Sequence, residues 1–135
     1  MFEEIDYRDL NSRQKENYNF QKVAARLANY GFNCLRLTDD WQGADFIACH
    51  IDGETVLKVQ LKSRLTIDKK YVGKAIYIAF LNHADCFLYP HDAFLNALIE
   101  RGSLTETSRL WDEEGRRSWP RPPVWATQLL QQYKV

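Results

Sequence analysis

The chain has 135 residues and a mass of 15.9 kDa, enough for one domain with a sizeable core. Its formal net charge is zero and its pI about 6.8, which excludes a polybasic coat for nucleic acid, so any such affinity has to come from a local patch. Cys34, Cys49 and Cys86 fit neither a disulfide framework nor a zinc spacing, the acidic N-terminus has no signal-type apolar core, and no run approaches the roughly 18 apolar residues of a membrane span, so a cytoplasmic protein without a membrane partner is expected.

Residues 12–30 read as a helix. Asn11 precedes it with Gln14 three positions on, the pattern of a capping box, and Gly31 supplies the stop. Phe20, Val23, Ala24, Leu27 and Tyr30 recur at three-and-four spacing and form the inward stripe. Glu16 lies one turn before Phe20, near the middle of that stripe. A carboxylate there is costly unless it is paired, bound to a cation or able to reach solvent from the first turns, so structural and functional roles both stand.

Residues 32–38 alternate as a strand, and TDDWQG reads as a loop, with Asp39 and Asp40 as loop residues or the rim of a cleft. A hairpin over 43–64 follows. Residues 65–74 read as irregular or a short strand with a turn, 75–81 and 85–90 as strands, and 91–102 as a helix stopped by Gly102 with His91 near its start. From Ser103 the chain is a Pro-, Arg- and Trp-rich extension. Its RRSWPRPP stretch suits neither regular helix nor central strand, and a final short helix over 124–133 starts after Pro123. Trp111, Trp119 and Trp125 could stack on bases, with burial against the sheet the simpler role. The element order implies a single α/β domain over 1–135, a central mixed sheet flanked by helices with an opening αβββ unit.

The hairpin can be read geometrically. Asp52-Gly53 is the strongest two-residue turn signal in the chain and predicts a type I′ turn. Counting outward, Ile51 meets Glu54, Cys49 meets Val56, Ile47 meets Lys58, and Asp45 falls opposite Gln60. Directly opposed residues share a face, with Cβ atoms about 5 Å apart, and Lys62 lies two residues on along the same face. A three-residue loop would shift this register by one. Phe46, Ala48, Leu57, Val59 and Leu61 form the opposite, core-facing side, and Lys58 has no assigned role.

Asp45 and Glu16 carboxylates, the Gln60 amide oxygen and an intervening backbone carbonyl make an oxygen-lined site of the kind a hard divalent cation prefers. A neighbouring lysine orients water or stabilises an oxyanion, which suits phosphodiester hydrolysis. Between Lys58 and Lys74 the chain adds Arg64, Lys69 and Lys70 against a single acid, Asp68, with Tyr71 among them. This is either a solvated loop or a set of phosphate contacts.

GADF followed by VQLKSR resembles the core of the PD-(D/E)XK nuclease superfamily, and more narrowly its QxK variant in Mrr-type restriction endonucleases. The helix ending in YGF before a strand is similar to that family's opening unit, and the likeness spans roughly residues 12–90. The resemblance implies a restriction-endonuclease-like fold and a Mg²⁺- or Mn²⁺-dependent endonuclease acting on DNA. It also implies Asp45 as a metal ligand, Gln60 at the position usually held by Glu or Asp, the Leu61 carbonyl on the metal, and Lys62 as the catalytic lysine. Glu16 matches the acidic residue many members carry on the first helix, although Gln21 fits the spacing to YGF in some members. Arg64, Lys69, Lys70 and Lys74 would contact nucleic acid. Ala44 replaces the proline of the family pattern, and Gln60 removes one negative charge. The other reading is an inactive module of the same fold that binds nucleic acid or a partner protein. A homodimer is compatible with a duplex that has two strands to cut.

Overall fold

The computed structural model describes residues 1–102, 104 and 110–135. The part of the extension at 103 and 105–109 lies outside the described residues. The helix α1 spans Ser12–Ala28, and both hydrogen bonds of the capping box form, Gln14 N–H to Asn11 Oδ1 and Asn11 N–H to Gln14 Oε1, each 2.9 Å. Val23 and Leu27 are buried as expected, and each such side chain contributes about 1.5–3 kcal/mol over exposure, more than the roughly 1 kcal/mol of a cap. Tyr30 departs from the expected stripe and is 52% exposed. The helix stops at Ala28, so Tyr30 no longer follows its phase, and Gly31 turns the chain at φ +85°.

Three antiparallel strands follow: β1 (Phe32–Trp41), β2 (Ala44–His50) and β3 (Val56–Lys62). β1 runs three residues beyond its expected end and takes in Asp39, Asp40 and Trp41. Its register to β2 shifts between Arg36 and Trp41, as at a bulge. The link to β2 is Gln42-Gly43, with φ of +55° and +86°, the pair of positive values that a type I′ turn requires.

The β2–β3 register is the one counted from the sequence, with Cys49 opposite Val56 and Ile47 opposite Lys58. The turn between them is not type I′. Gly53 has φ +74° but Asp52 is not among the positive-φ residues, and the connection is a longer loop closed by His50 N–H to the Thr55 carbonyl at 2.9 Å. Asp52 acts through its side chain instead, accepting the Glu54 and Thr55 N–H groups at 2.9 and 2.8 Å and the Thr55 hydroxyl at 2.6 Å. An Asx side chain that takes these donors removes the need for a second left-handed residue.

The chain then leaves the sheet through β4 (Leu65–Asp68) and a 3-10 turn (Lys69–Tyr71), and re-enters as β5 (Ile76–Asn82), parallel to β3, and β6 (Asp85–Pro90). The strand order β1-β2-β3-β5-β6 gives the expected mixed sheet. Helix α2 (His91–Arg101) follows, with Gly102 left-handed at its end. The RRSW part of the extension forms β7 (Arg116–Trp119), paired antiparallel with β4 in a separate two-stranded sheet, and α3 (Val124–Leu130) comes after Pro123. Pro120 directly follows β7, a place where a missing N–H is tolerated.

Alternation along β5 divides the core. Ala79 joins Val23, Leu27, Phe46, Ala48 and Val59 on the α1 face. Ile76, Ile78 and Phe80 join Tyr89, Phe94, Leu98 and Leu130 on the other, with Trp119 buried and Trp111 and Trp125 packed against it. Tyr89 and His91 anchor the crossover from beneath. The Tyr89 hydroxyl donates to the Thr66 carbonyl at 2.7 Å and accepts the Thr66 N–H at 3.1 Å. The His91 ring, fully buried, accepts the Asp68 N–H on Nε2 at 3.0 Å, so its proton sits on Nδ1, facing Asp92 at 2.9 Å. Asp92 also accepts the Gly73 N–H at 2.9 Å. Residues 66–73, which carry Lys70 and Tyr71 to the ends of β2 and β3, are therefore held at four backbone points. No helix among the described residues is long and apolar enough to cross a membrane.

Candidate active site

The β2–β3 ladder ends at Phe46 and Val59, and one residue further each way stand Asp45 and Gln60. There the Asp45 carboxylate, not a backbone carbonyl, accepts the Leu61 N–H at 2.9 Å. A strand residue presents its N–H and C=O to the same side, so the Leu61 carbonyl also opens toward Asp45. The Gln60 side-chain Nε2 donates to that carbonyl at 3.5 Å, the long limit of a hydrogen bond, so a cation on the carbonyl would need the amide turned to present its oxygen.

A cavity of about 450 Å³ lies over this point, and its lining includes Glu16, Arg36, Asp45, Gln60, Leu61 and Lys62. A smaller cavity of about 230 Å³ on the crossover side shares Asp45, Gln60 and Lys62 and adds Asp40, Lys70, Tyr71 and Lys74. Every residue expected in the metal and catalytic set thus lines the larger space, and two of the four expected phosphate contacts line the smaller one. The other two stand apart: Arg64 is exposed past the end of β3, and Lys69 sits over the Trp111 ring, 5.2 Å from its centroid. Gln21 is exposed and its amide donates to the Asn17 carbonyl of its own helix.

Glu16 is not buried on the apolar stripe. Its side chain is 67% exposed and faces Arg36, with 3.7 Å between Oε2 and the guanidinium. An exposed pair of this length contributes little and leaves the carboxylate turned to the cavity. Arg36 also donates to Asn17 Oδ1 and lies over the Phe20 ring at 5.5 Å. Sequence reading missed Arg36 as a site residue; its alternation on β1 was visible, its placement across α1 was not.

Burial pushes the Asp45 carboxyl above its ordinary value, opposed by the Leu61 N–H, Lys62 and Arg36, while Glu16 adds to the rise. Burial likewise pushes the Lys62 ammonium down, reinforced by Lys70 and opposed by Asp68 and Asp45. Two partners whose attraction should strengthen both charges are each shifted the other way, so desolvation outweighs pairing. Lys62 Nζ lies 5.5 Å from the Tyr71 ring centroid and Lys70 Nζ 5.1 Å. Burial holds the Tyr71 phenol strongly toward its protonated form.

The donor set fits a hard divalent cation: two carboxylates, an amide oxygen and a backbone carbonyl around one cavity. No cluster of three or more His, Cys, Asp or Glu side chains suited to a metal occurs among the described residues, so the amide and carbonyl oxygens would have to complete the shell.

No protein-family model and no curated protein matches the sequence. Among solved structures the chain is similar to a bacterial homing endonuclease, I-Ssp6803I, at 16% identity and a TM-score of 0.46 over 63% of this chain and 69% of that one. It is also similar to the Holliday junction resolvase of the archaeal hyperthermophile Archaeoglobus fulgidus, at 17% identity and a TM-score of 0.45 over 58% of this chain and 74% of that one. With scores below 0.5, neither likeness bears on the chemistry of the site.

Proposed function

We propose that the chain is a metal-dependent deoxyribonuclease of the PD-(D/E)XK superfamily in its QxK form, a single domain of restriction-endonuclease-like fold with a Pro-, Arg- and Trp-rich extension. The observation that carries this reading is the meeting of Asp45, Gln60, Lys62 and the Leu61 carbonyl at the open end of one hairpin, with Glu16 across the cavity. Asp45, Glu16, the Gln60 amide oxygen and the Leu61 carbonyl would hold Mg²⁺ or Mn²⁺. When bound, the cation supplies Lewis-acid stabilisation of charge developing on a phosphoryl oxygen. Asp45, already fixed by the Leu61 N–H, orients the set. Lys62 holds a proton at Nζ beside the attacking water or the phosphate, and its lowered affinity for that proton suits transfer. Lys70 and Lys74 flank the strand, with Arg64 and Lys69 contacting backbone phosphates further out.

The test is incubation of single-stranded, duplex and branched DNA with Mn²⁺. Native protein cleaves at least one of them, and Asp45→Ala and Lys62→Ala each lower the rate by about a hundredfold or more. Cleavage that survives both substitutions rules the site out.

The amide at Gln60 favours a second reading, a non-catalytic module of the same fold that binds DNA or a partner protein, because one charge fewer weakens cation binding. Calorimetry separates the two: DNA affinity without Mg²⁺ or Mn²⁺ affinity selects the second. A homodimer would bring one site to each strand of a duplex, and sedimentation across a concentration series reads that directly.

A further inference from the structure

A second cavity, about 470 Å³, adjoins the candidate site and shares Tyr7, Asn19, Leu61, Lys62 and Ser63 with it. Its remaining lining is Tyr18, Leu81 and His83. Tyr7 comes from a 3-10 turn (Tyr7–Asp9) before α1, and Tyr18 from the second turn of α1 itself. The two rings meet edge to face, with centroids 5.2 Å apart at 61°. Asn19 Nδ2 donates to the Tyr7 hydroxyl at 3.0 Å, and the Asp6 side chain caps the turn by accepting the Arg8 N–H at 2.9 Å. The aromatic pair is thus held in place, yet Tyr7 remains 38% and Tyr18 36% exposed.

Each ring carries its own ammonium group. Lys15 Nζ lies 5.4 Å from the Tyr7 centroid and Lys22 Nζ 5.2 Å from that of Tyr18. Partly exposed aromatic rings, each with a mobile lysine ammonium over it that a base can displace toward its phosphate, beside a site that receives a phosphodiester, match the chemistry of a single-stranded nucleic acid: bases stack on the rings and phosphates meet the cations. An intact duplex cannot offer this cavity a base face, since its bases are stacked on one another.

We infer that the Tyr7–Tyr18 cavity receives an unpaired nucleobase next to the phosphate held at Lys62, so that the preferred substrate is DNA with a single-stranded segment, such as an overhang or flap. This rests on the nuclease reading for the placement of the phosphate, and deepens it by naming the substrate class. Tyr18 carries the base; Tyr7, fixed by Asn19, backs it.

The test is fluorescence anisotropy in EDTA with three labelled DNAs: a single strand, a blunt duplex, and the same duplex with a single-stranded tail. Native protein binds the single-stranded and tailed DNAs about tenfold or more tightly than the blunt duplex. Tyr18→Ala and Tyr18→Leu weaken binding to those two by about 5- to 100-fold, the worth of one stacked base, and change blunt-duplex binding less than about twofold. Tyr18→Phe retains native affinity. Circular dichroism confirms that the variants fold. Equal weakening on all three DNAs, or none on any, overturns the inference. Cleavage of blunt duplex with Mn²⁺ that is unchanged in Tyr18→Ala, alongside unchanged binding of tailed DNA, overturns the stacking site and leaves the nuclease reading standing. Tyr18-dependent binding of tailed DNA without any cleavage upholds the cavity and removes the hydrolytic reading. Absence of binding to all three DNAs overturns the inference, and cleavage with Mn²⁺ decides the nuclease reading separately.

Discussion

The Lys62 ammonium stands 5.5 Å from the centroid of the Tyr71 ring, which is itself buried to 2% exposure. An ammonium held over an aromatic face is stabilised by about 0.5–2 kcal/mol, more when desolvated. Tyr71→Leu therefore frees Lys62 from its place and lowers turnover by about 3- to 30-fold, while Tyr71→Phe, which keeps the face, stays near native. Steady-state cleavage with both variants checks this. Equal losses in both would assign the effect to the hydroxyl.

A carboxyl raised by burial makes a signed statement about stability. Asp45 binds its proton more tightly when folded, so its contribution is fully favourable below the unfolded carboxylate value and is lost as pH rises through the folded one. At neutral pH the buried charge is a liability. Asp45→Asn, which still offers an acceptor to the Leu61 N–H, should melt higher than native by about 1–3 °C at pH 7. The difference should shrink toward zero as pH falls below about 4. Melting curves across that range decide it; a variant less stable at pH 7 contradicts the balance of burial over pairing.

Gln60→Glu restores a charge at the position where the resemblance expects one. It should tighten Mn²⁺ binding by about tenfold, or about 1.4 kcal/mol, read by calorimetry. Without cation the same protein should melt lower, because the new carboxylate faces Asp45 in a partly buried cavity. Unchanged affinity would show that residue 60 lies outside the coordination shell.

Gly43 sits at φ +86°, and a Cβ there would come within 3.2 Å of the Tyr71 ring. Left-handed backbone costs a non-glycine residue about 1–2 kcal/mol before any contact is counted. Gly43→Ala should therefore lower the melting temperature by several degrees and also lower turnover, because the ring that must move is the one beneath Lys62. A stable, fully active variant would break the proposed link between this turn and the site.

Much of the site was readable because strand alternation is robust. Asp45 falls opposite Gln60 whether the hairpin closes through Asp52-Gly53 alone or through a loop two residues longer, since both lengthen the two strands' connection symmetrically. The turn departs from type I′ because Asp52 satisfies the backbone with its side chain, which a φ-based rule does not weigh. TDDWQG reads as a loop and not as a strand running into a two-residue turn because glutamine has no preference for positive φ; here the strands on either side impose it. β7 was hidden by neighbouring prolines, and its pairing partner β4 lies about fifty positions away. Arg36 and Tyr71 entered the site by tertiary placement, which no local pattern encodes. By contrast, the α1 capping box and the Gly102 stop depend on residues within a single turn, and both stand where the sequence put them.

The Leu61 amide is the place where these elements become observable together. Its hydrogen is held by a titrating carboxylate at the end of a strand ladder, 2.9 Å away, and not by another backbone group. Anything that draws on Asp45, whether a proton, a cation or a substrate phosphate, alters how tightly that one hydrogen is retained. Its exchange rate and chemical shift in solution give a single-residue gauge of site occupancy, independent of turnover and usable in a protein that never cuts.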